Sequence, residues 1–252
     1  MALANAKTKI LGIDIGGTSI KVAVVDSVQG ALLTQKRIIA TPKTVTAVLE
    51  AIKQLIDAFA WQGSIGCGFP GVVKNGVIHT AANLNQGWIG VDLVKDLSQL
   101  TSGAVSVIND ADAAGLAEMN FGIGKARNRH GGGVVILFTL GTGIGSAMFV
   151  DGHLVPNSEF GHIEMNGIDA EKLAATVVRE RENLSWQDWG RRVNQYLNYM
   201  EKIFSPDCII IGGGVSESPE KFFPYLRLRN KVLAAQMGND AGIIGAALAA
   251  VN

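Results

Sequence analysis

Residues 105–118, with the sequence V-S-V-I-N-D-A-D-A-A-G-L-A-E, constrain the fold of this chain more than any other stretch. An apolar run ends at Asn109 and Asp110, and small and apolar residues then recur at helical spacing, which predicts a strand passing into a helix. In open α/β sheets ligands bind beyond the carboxyl ends of the strands, so a carboxylate here can reach a substrate from a fixed backbone. We therefore identify Asp110 as a candidate general base and expect Asp112 to cap the helix. Capping by Asp110 is the alternative.

A glycine-rich turn lies between two β-rich runs in each half of the chain. Residues 9–25 and 134–149 both show this pattern, which is typical of a hairpin. Backbone amides at such turns can hold phosphate oxygens, because glycine has no side chain to obstruct them. A plain hairpin is the alternative for one turn alone, but two such turns can grip a phosphate chain from opposite sides of a cleft. The residues concerned are Gly16, Gly17 and Thr18 in the first turn and Gly141, Thr142 and Gly143 in the second.

Asp14 stands just before the first turn, where a carboxylate would repel a phosphate unless a cation lay between them. Carboxylate oxygens and retained waters are the ligands typical of Mg²⁺ in proteins. We therefore expect Asp14 to lie on the Mg²⁺ side of a phosphoryl donor and to act through water.

Two short segments carry side chains suited to a sugar. Residues 81–88, A-A-N-L-N-Q-G-W, place amide groups such as that of Asn83 beside an indole, which combines hydrogen-bonding partners with an apolar wall. A turn with a packing tryptophan is the alternative. A later segment holds Glu159, His162 and Glu164, an array that can bind adjacent hydroxyls. A metal site is the alternative there, but no further Cys or His cluster follows to complete a zinc sphere, so we predict no zinc.

The balance of charge excludes several classes of partner. Lysine plus arginine and aspartate plus glutamate each number 22, so no global field attracts nucleic acid or an anionic membrane.

The first residues lack an apolar export segment, and Cys67 and Cys208 lie in apolar runs without metal-ligand spacing. We therefore expect a cytoplasmic protein with buried thiols. The uncharged residues 131–150 are interrupted by glycines, which favours two buried strands over a membrane span.

Five segments resemble, in order and spacing, the sugar kinases of the repressor, open reading frame and kinase family, which belongs to the actin, hexokinase and heat-shock chaperone superfamily. They extend over nearly the whole chain and are residues 14–21, 109–110, 140–146, 159–162 and 211–216. The family's Cys-rich zinc motif after the Gly-His pair is absent from this sequence, and no DNA-binding helix-turn-helix stands in front of the first hairpin.

Members of that family that use inorganic polyphosphate are the most similar. The shared features are T-P-K at 41–43, F-P-G-V-V at 69–73, N-D-A-D-A-A-G at 109–115, G-H-I-E at 161–164 and the R-E-R-E-N-L-S-W run ending at Trp186.

The resemblance implies an α/β, two-lobed actin-like or hexokinase-like fold with a ligand cleft between the lobes. The expected lobes are residues 1–113, with a C-terminal helix at 240–252 packing back on them, and residues 114–239. It also implies a homodimer, Asp110 as the catalytic base, and Lys21 beside the glycine turns as a contact of the donor phosphates. The implied glucose contacts are Asn83, Asn109, Asp110, Glu159, His162 and Glu164.

The implied activity is transfer of the terminal phosphoryl group of inorganic polyphosphate to the 6-hydroxyl of glucose. An ATP-dependent glucokinase or mannokinase is the first alternative, which a triple-glycine turn at Gly212, Gly213 and Gly214 keeps open, and a non-catalytic sugar-sensing protein is the second. Polyphosphate has no adenine, so its binding needs a cationic track, although such clusters are more often solvated surface. The candidate track residues are Lys125, Arg127, Arg129, Lys172, Arg179 and Arg181.

Overall fold

A computed structural model describes residues 8–81, 84–129 and 132–251, without the side chains of residues 128 and 129. The chain divides into two units, one formed by Met1–Ala117 together with Asp240–Asn252 and the other by Glu118–Asn239.

The first unit is built from a mixed sheet and the helices around it. Its elements are β1 Lys9–Ile15, β2 Ser19–Asp26, β3 Ala31–Leu32, β4 Arg37–Ala40, α1 Val45–Ala58, β5 Ile65–Phe69, β6 Val73–Lys74, β7 Val77–Ile78, α2 Leu93–Ser98, β8 Val105–Asn109, α3 Asp110–Asn120, which continues into the second unit, and α8 Ala241–Ala249.

The order of strands in this sheet is β3-β2-β1-β5-β8, with β4 also pairing with β2. β1 is antiparallel to β2, whereas β5 is parallel to both β1 and β8. Every residue of β5 is buried, as expected for a parallel strand covered on both faces. Phe69 pairs with Asn109 and Gly68 with Asp14, so the carboxyl ends of β1, β5 and β8 lie at one edge of the sheet. That edge carries Asp14, Asn109 and Asp110.

The second unit contains another mixed sheet, with the order β11-β10-β9-β14-β15. β9 and β10 form an antiparallel hairpin, and β14 is parallel to both β9 and β15. Its elements are α4 Lys125–Arg129, β9 Val134–Leu140, β10 Ile144–Val150, β11 His153–Val155, β12 Glu164–Met165, β13 Ile168–Asp169, α5 Glu171–Ala174, α6 Thr176–Arg181, α7 Trp186–Phe204, β14 Cys208–Gly212 and β15 Lys231–Ala234.

The helix α7 supplies much of the core of the second unit. Ser185 caps it by accepting a hydrogen bond from the Asp188 amide at 3.0 Å. Its buried side chains recur at helical spacing and pack with those of β9 and β14. Short 3₁₀ helices complete the chain at Gln86–Trp88, Phe160–His162, Gly214–Glu217, Pro219–Lys221, Phe223–Tyr225 and Gly238–Asp240.

Both hairpins predicted around the glycine turns are confirmed, and so is the strand-to-helix junction at Asn109 and Asp110. Between residues 31 and 40 the chain forms two separate short strands, β3 and β4. The basic residues Lys125 and Arg127 lie on the short helix α4.

Two predictions about apolar stretches are confirmed. Cys67 and Cys208 are buried free thiols, and residues 134–150 of the uncharged stretch form β9 and β10. Among the described residues, no helix has the length and apolarity needed to cross a membrane.

Candidate active site

Asn109 caps the helix that begins at the candidate base. Its Oδ1 accepts hydrogen bonds from the amides of Ala111 at 2.8 Å and Asp112 at 3.0 Å, and its Nδ2 donates to the Gly71 carbonyl at 3.2 Å. The capping role predicted for Asp112 is therefore wrong, because Asp112 lies inside the first turn of α3 and its amide is one of those capped. The Asn109 side chain, which is only 4% exposed, therefore fixes the junction between β8 and α3.

Asp110 is the first residue of α3 and is half-buried. Its Oδ1 accepts a hydrogen bond from the Ala111 amide at 2.8 Å. The amino end of a helix carries partial positive charge, which stabilises a carboxylate at this position. Because Asn109 already caps the helix, the fold does not need Asp110 for that purpose.

The first glycine turn joins β1 to β2 and lies next to an ion pair. The Gly16 amide closes the turn by donating to the Ser19 carbonyl at 2.9 Å. Asp14 and Lys21 are opposite each other in the β1–β2 register, and Lys21 Nζ lies 3.0 Å from Asp14 Oδ2. Both side chains are mostly buried, with 25% of Lys21 and 13% of Asp14 exposed. A cation and a carboxylate are thus held together at the base of the turn.

The second glycine turn joins β9 to β10. The Gly141 amide donates to the Gly143 carbonyl at 3.0 Å. Gly213, in the triple-glycine turn after β14, packs directly against the start of this hairpin turn. Its φ is +81°, and a Cβ there would come within 2.4 Å of the Leu140 carbonyl oxygen. Only glycine fits this position, where the turn at Gly212 to Gly214 lies against the second glycine turn.

His162 lies among three carboxylates. Its Nε2 is 4.0 Å from Glu159 Oε2, and its Nδ1 is 3.7 Å from Asp169 Oδ2 and 3.9 Å from Glu171 Oε1. Glu171 Oε2 also accepts a hydrogen bond from the amide of Ile144, just after the second glycine turn, at 3.4 Å. The carboxylates of this cluster offer several acceptors and His162 can donate, which suits adjacent sugar hydroxyls.

Asp169 and Glu171 did not emerge from the sequence as candidates. The sequence grouped Glu159 and Glu164 with His162, but Glu164 is exposed on β12, and its backbone pairs with that of Asp169. The sequence feature that could have identified them is the Asn166-Gly167 dipeptide. Its φ angles of +55° and +76° form the turn between β12 and β13. Such a two-residue turn returns the chain, so the residues after it come back beside His162.

His162, Asp169 and Glu171 each offer a potential metal-ligand atom, and these atoms lie within 4.8 Å of one another. This set differs from the Glu159, His162 and Glu164 set of the sequence-based metal alternative. Lys172 Nζ lies 3.3 Å from Asp169 Oδ2, so one of the carboxylates already has a cationic partner.

Burial raises the pKa of Glu159 above its ordinary value. The nearby His162 imidazole opposes the rise, and the Glu171 carboxylate adds to it.

Gly161 explains how this segment approaches β10 so closely, because a Cβ at Gly161 would lie 2.2 Å from the Ile144 carbonyl oxygen. The segment that carries Glu159 and His162 therefore packs directly on the strand after the second turn.

The predicted cation track has two kinds of members. Lys172 and Arg181 are paired with Asp169 and Glu182, at 3.3 and 2.9 Å respectively. Arg179 instead stacks on Trp186, with its guanidinium carbon 3.8 Å from the ring centroid.

Lys221, which the sequence did not single out, lies 5.4 Å from the centroid of the same Trp186 ring that Arg179 covers. Arg179, Trp186 and Lys221 thus form a cationic group in the second unit. Lys125 Nζ lies 6.0 Å from the Phe121 ring, and Arg127 is on α4. Asn83 and the side chain of Arg129 lie outside the described residues.

A sequence model of the ROK family matches residues 10–175. The polyphosphate glucokinase of Mycobacterium leprae (strain TN) is 43% identical over 241 residues, which cover 94% of this chain and 73% of that protein. The solved inorganic polyphosphate/ATP-glucomannokinase of Arthrobacter sp. strain KM is 41% identical with a TM-score of 0.90, covering 96% of this chain and 98% of that one.

The ROK family glucokinase of Streptomyces griseus, solved in complex with glucose and AMPPNP, has a TM-score of 0.79 at 26% identity and covers 95% of this chain and 98% of that one. These structures confirm the predicted α/β fold class, actin-like or hexokinase-like.

Proposed function

Because this chain belongs to the ROK family, we propose that it is a glucokinase that transfers the terminal phosphoryl group of inorganic polyphosphate to the 6-hydroxyl of glucose. The similarity to a polyphosphate glucokinase at 43% identity supports both the donor and the acceptor. The observation that carries the mechanism is the β8–α3 junction, where Asn109 caps the helix and Asp110 occupies its first position.

In the proposed reaction Asp110 accepts the proton of the glucose 6-hydroxyl as that oxygen attacks the terminal phosphorus in line. A new bond forms between phosphorus and the 6-oxygen, and the bond to the bridging oxygen breaks, so the shortened polyphosphate leaves with that oxygen. Such a general base contributes about 10²- to 10⁴-fold to the rate. The amides of the two glycine turns and Lys21 supply the remaining positioning and charge stabilisation.

The residues at the first turn fit the expected Mg²⁺. Asp14 offers carboxylate oxygens, the hard ligands that Mg²⁺ prefers, at the edge of the proposed phosphate site. Asp14 would hold the ion through water, and its Oδ2 also contacts Lys21. The ion, when bound, neutralises charge on the donor phosphates.

For glucose recognition we propose Asn83, Asn109, Asp110, Glu159 and His162, to which the contacts of His162 add Glu171. Glu164 has the weaker case because it is exposed on β12. The sugar ring would accept and donate hydrogen bonds in the His162 cluster, where carboxylates and an imidazole are fixed by their own contacts.

For the donor we propose the cationic group of Arg179, Trp186 and Lys221 as the start of the polyphosphate track, with Lys125, Arg127 and Arg129 as further members. Lys172 and Arg181 contribute less, because carboxylates neutralise them. ATP remains the alternative donor, since the name of the Arthrobacter relative includes both donors and Gly213 holds the triple-glycine turn beside the second phosphate turn. Two further parts of the proposal are a homodimer and a cytoplasmic location.

The test is formation of sugar 6-phosphate with Mg²⁺, comparing long-chain polyphosphate with ATP and glucose with mannose. We expect glucose 6-phosphate from polyphosphate at a rate well above that from ATP. Activity with ATP alone would make the chain an ATP-dependent kinase. It would also indicate that the arginines of the proposed track are ordinary solvated surface residues. Calorimetric binding of glucose without transfer from either donor would favour a sugar-sensing protein.

A further inference from the structure

Thr41, which follows β4 in the T-P-K motif, binds the carbonyl side of the first glycine turn. Its hydroxyl donates to the Gly16 carbonyl at 2.6 Å. Its amide donates to the Thr18 carbonyl at 3.0 Å. Both hydrogen bonds come from one residue, so one residue fixes two peptide planes of the turn.

The orientation of the turn amides follows from peptide geometry. In a planar trans peptide the N–H points opposite to the C=O of the preceding residue. Because the carbonyls of Gly16 and Thr18 point toward Thr41, the N–H groups of Gly17 and Ser19 point away from it. Two amides on the same side of a short turn form an anion-binding concavity.

A glycine turn needs such an anchor because its peptide planes can flip. Glycine reaches positive and negative φ with similar ease, so the Gly16–Gly17 peptide can rotate at little cost. A flipped peptide would present the Gly16 carbonyl oxygen, instead of the Gly17 amide, to a bound phosphate. The hydrogen bond from the Thr41 hydroxyl opposes that flip.

The second glycine turn also accepts hydrogen bonds from a threonine and a backbone amide, but with a different result. The Thr176 hydroxyl, at the start of α6, donates to the Leu140 carbonyl at 3.1 Å. The next amide, that of Val177, donates to the Gly141 carbonyl at 3.1 Å. By the same geometry the Thr142 amide points away from α6. The Thr176 hydroxyl, however, fixes the Leu140–Gly141 peptide, and the Gly141 amide donates to the Gly143 carbonyl within the turn. Only at the first turn, therefore, does a threonine hydroxyl fix the peptide of an amide that points outward.

We propose that Thr41 is a positioning residue that orients the Gly17 and Ser19 amides of the first glycine turn toward the donor phosphates. The proposal rests on the proposed phosphoryl transfer, and it assigns to the Thr41 hydroxyl a role in binding the donor and not the sugar.

The test compares Thr41→Val, which removes only the hydroxyl donor, with Thr41→Ser, which keeps it. Thr101→Val is the matched control, because the Thr101 hydroxyl donates to the Gly63 carbonyl at the same distance of 2.6 Å in the same unit. Affinity for tripolyphosphate and for glucose is measured by calorimetry, and kcat is measured with polyphosphate and with ATP. Thermal unfolding shows whether each variant is folded.

Thr41→Val should weaken tripolyphosphate binding about tenfold and lower kcat about 10- to 100-fold, as is typical when a group that orients a ligand-binding residue is removed. Glucose affinity should stay within about twofold. Thr41→Ser should restore both values to within about threefold.

Unchanged tripolyphosphate affinity in folded Thr41→Val, or an equal loss in Thr101→Val, would overturn the proposal. Failure of Thr41→Ser to restore binding would also overturn it, because the hydroxyl would then not be the group responsible. Tripolyphosphate binding is read independently of turnover. A wild-type protein that binds the anion but forms no sugar phosphate would therefore reject the proposed reaction, while the variants still decide the role of Thr41.

Discussion

Ser146 and Ser158 exchange a reciprocal pair of hydrogen bonds. The Ser146 hydroxyl donates to the Ser158 carbonyl at 2.5 Å, and the Ser158 hydroxyl donates to the Ser146 carbonyl at 3.1 Å. Ser146 Oγ also accepts the Phe160 amide at 3.0 Å. Ser146 lies on β10, just after the second glycine turn, and Ser158 immediately precedes Glu159. The pair therefore holds the proposed sugar segment and the second glycine turn in one fixed arrangement.

Replacing Ser146 with alanine should loosen the sugar segment, because the Phe160 amide and the Ser158 carbonyl lose their partner. An unsatisfied buried group costs about 1–3 kcal/mol, and we expect glucose affinity to fall about tenfold. Ser98→Ala removes a hydroxyl that donates to the Val94 carbonyl at 2.7 Å on an exposed helix and should leave glucose affinity unchanged. Equal glucose affinity for both variants in calorimetry would contradict this account.

Replacing Glu171 with glutamine should reduce glucose affinity more than the same change at Glu164. Glu171 contacts both His162 and the Ile144 amide, whereas Glu164 is exposed on β12. We expect at least a tenfold rise in the glucose dissociation constant for Glu171→Gln and less than about threefold for Glu164→Gln, since a lost charge-assisted hydrogen bond is worth about 1.5–3 kcal/mol. A larger rise in the glucose dissociation constant for Glu164→Gln than for Glu171→Gln would assign Glu164, and not Glu171, to the sugar site.

Several features of the site could be predicted because they depend on local sequence. Apolar, β-rich runs before and after Gly16 and Gly141 set both hairpins, and an apolar run that stops at Asn109 set the junction that carries Asp110. These signals need no information about distant residues.

Other features depend on contacts between residues that are distant along the chain or on a choice between neighbouring polar groups. The cap of α3 went to Asn109 instead of Asp112, because the strand ends one residue before Asp110 and Asn109 therefore occupies the cap position. Asp169 reaches His162 only through the Asn166-Gly167 turn. Lys221 joins Arg179 through the ring of Trp186, and nothing in the spacing of these three residues predicts that contact.

Glu159 should make stability fall as the pH rises. Its folded-state pKa is raised by burial, so the folded state binds its proton more tightly than the unfolded state does. Stability therefore decreases as pH rises from the ordinary value of 4.5 through the raised value. Glu159→Gln removes this penalty. The unfolding midpoint of the variant, relative to that of wild type, should therefore be higher at pH 7 than at pH 4.

Thermal unfolding at both pH values gives this comparison directly. An equal difference between variant and wild type at the two values would show that Glu159 does not titrate in the way its burial indicates. Glucose binding by the variant should be weakened at both values, because glutamine cannot supply a carboxylate acceptor.

Arg179→Ala should weaken polyphosphate binding and flatten its dependence on salt. One partly desolvated cation near a polyanion is worth about 1 kcal/mol, so we expect a rise of about fivefold in the KM for polyphosphate at low salt and a smaller rise at high salt. The KM for glucose should not change. Arg37→Ala is the matched control, since Arg37 also stacks on an aromatic ring, that of Phe59, at 5.1 Å.

An unchanged salt dependence in Arg179→Ala, or an equal effect of Arg37→Ala, would count against the track. Either result would mean that Arg179 only packs on Trp186 and that the glycine turns alone hold the donor.

The most direct test of the central claim is the rate of glucose 6-phosphate formation by Asp110→Asn, with glucose affinity measured on the same preparation. Asparagine keeps the size of the side chain but cannot accept the proton of the 6-hydroxyl. We predict a loss of at least about 100-fold in kcat with glucose affinity within about threefold of wild type. A variant that retains more than about a tenth of the wild-type rate would contradict the assignment of Asp110 as the base.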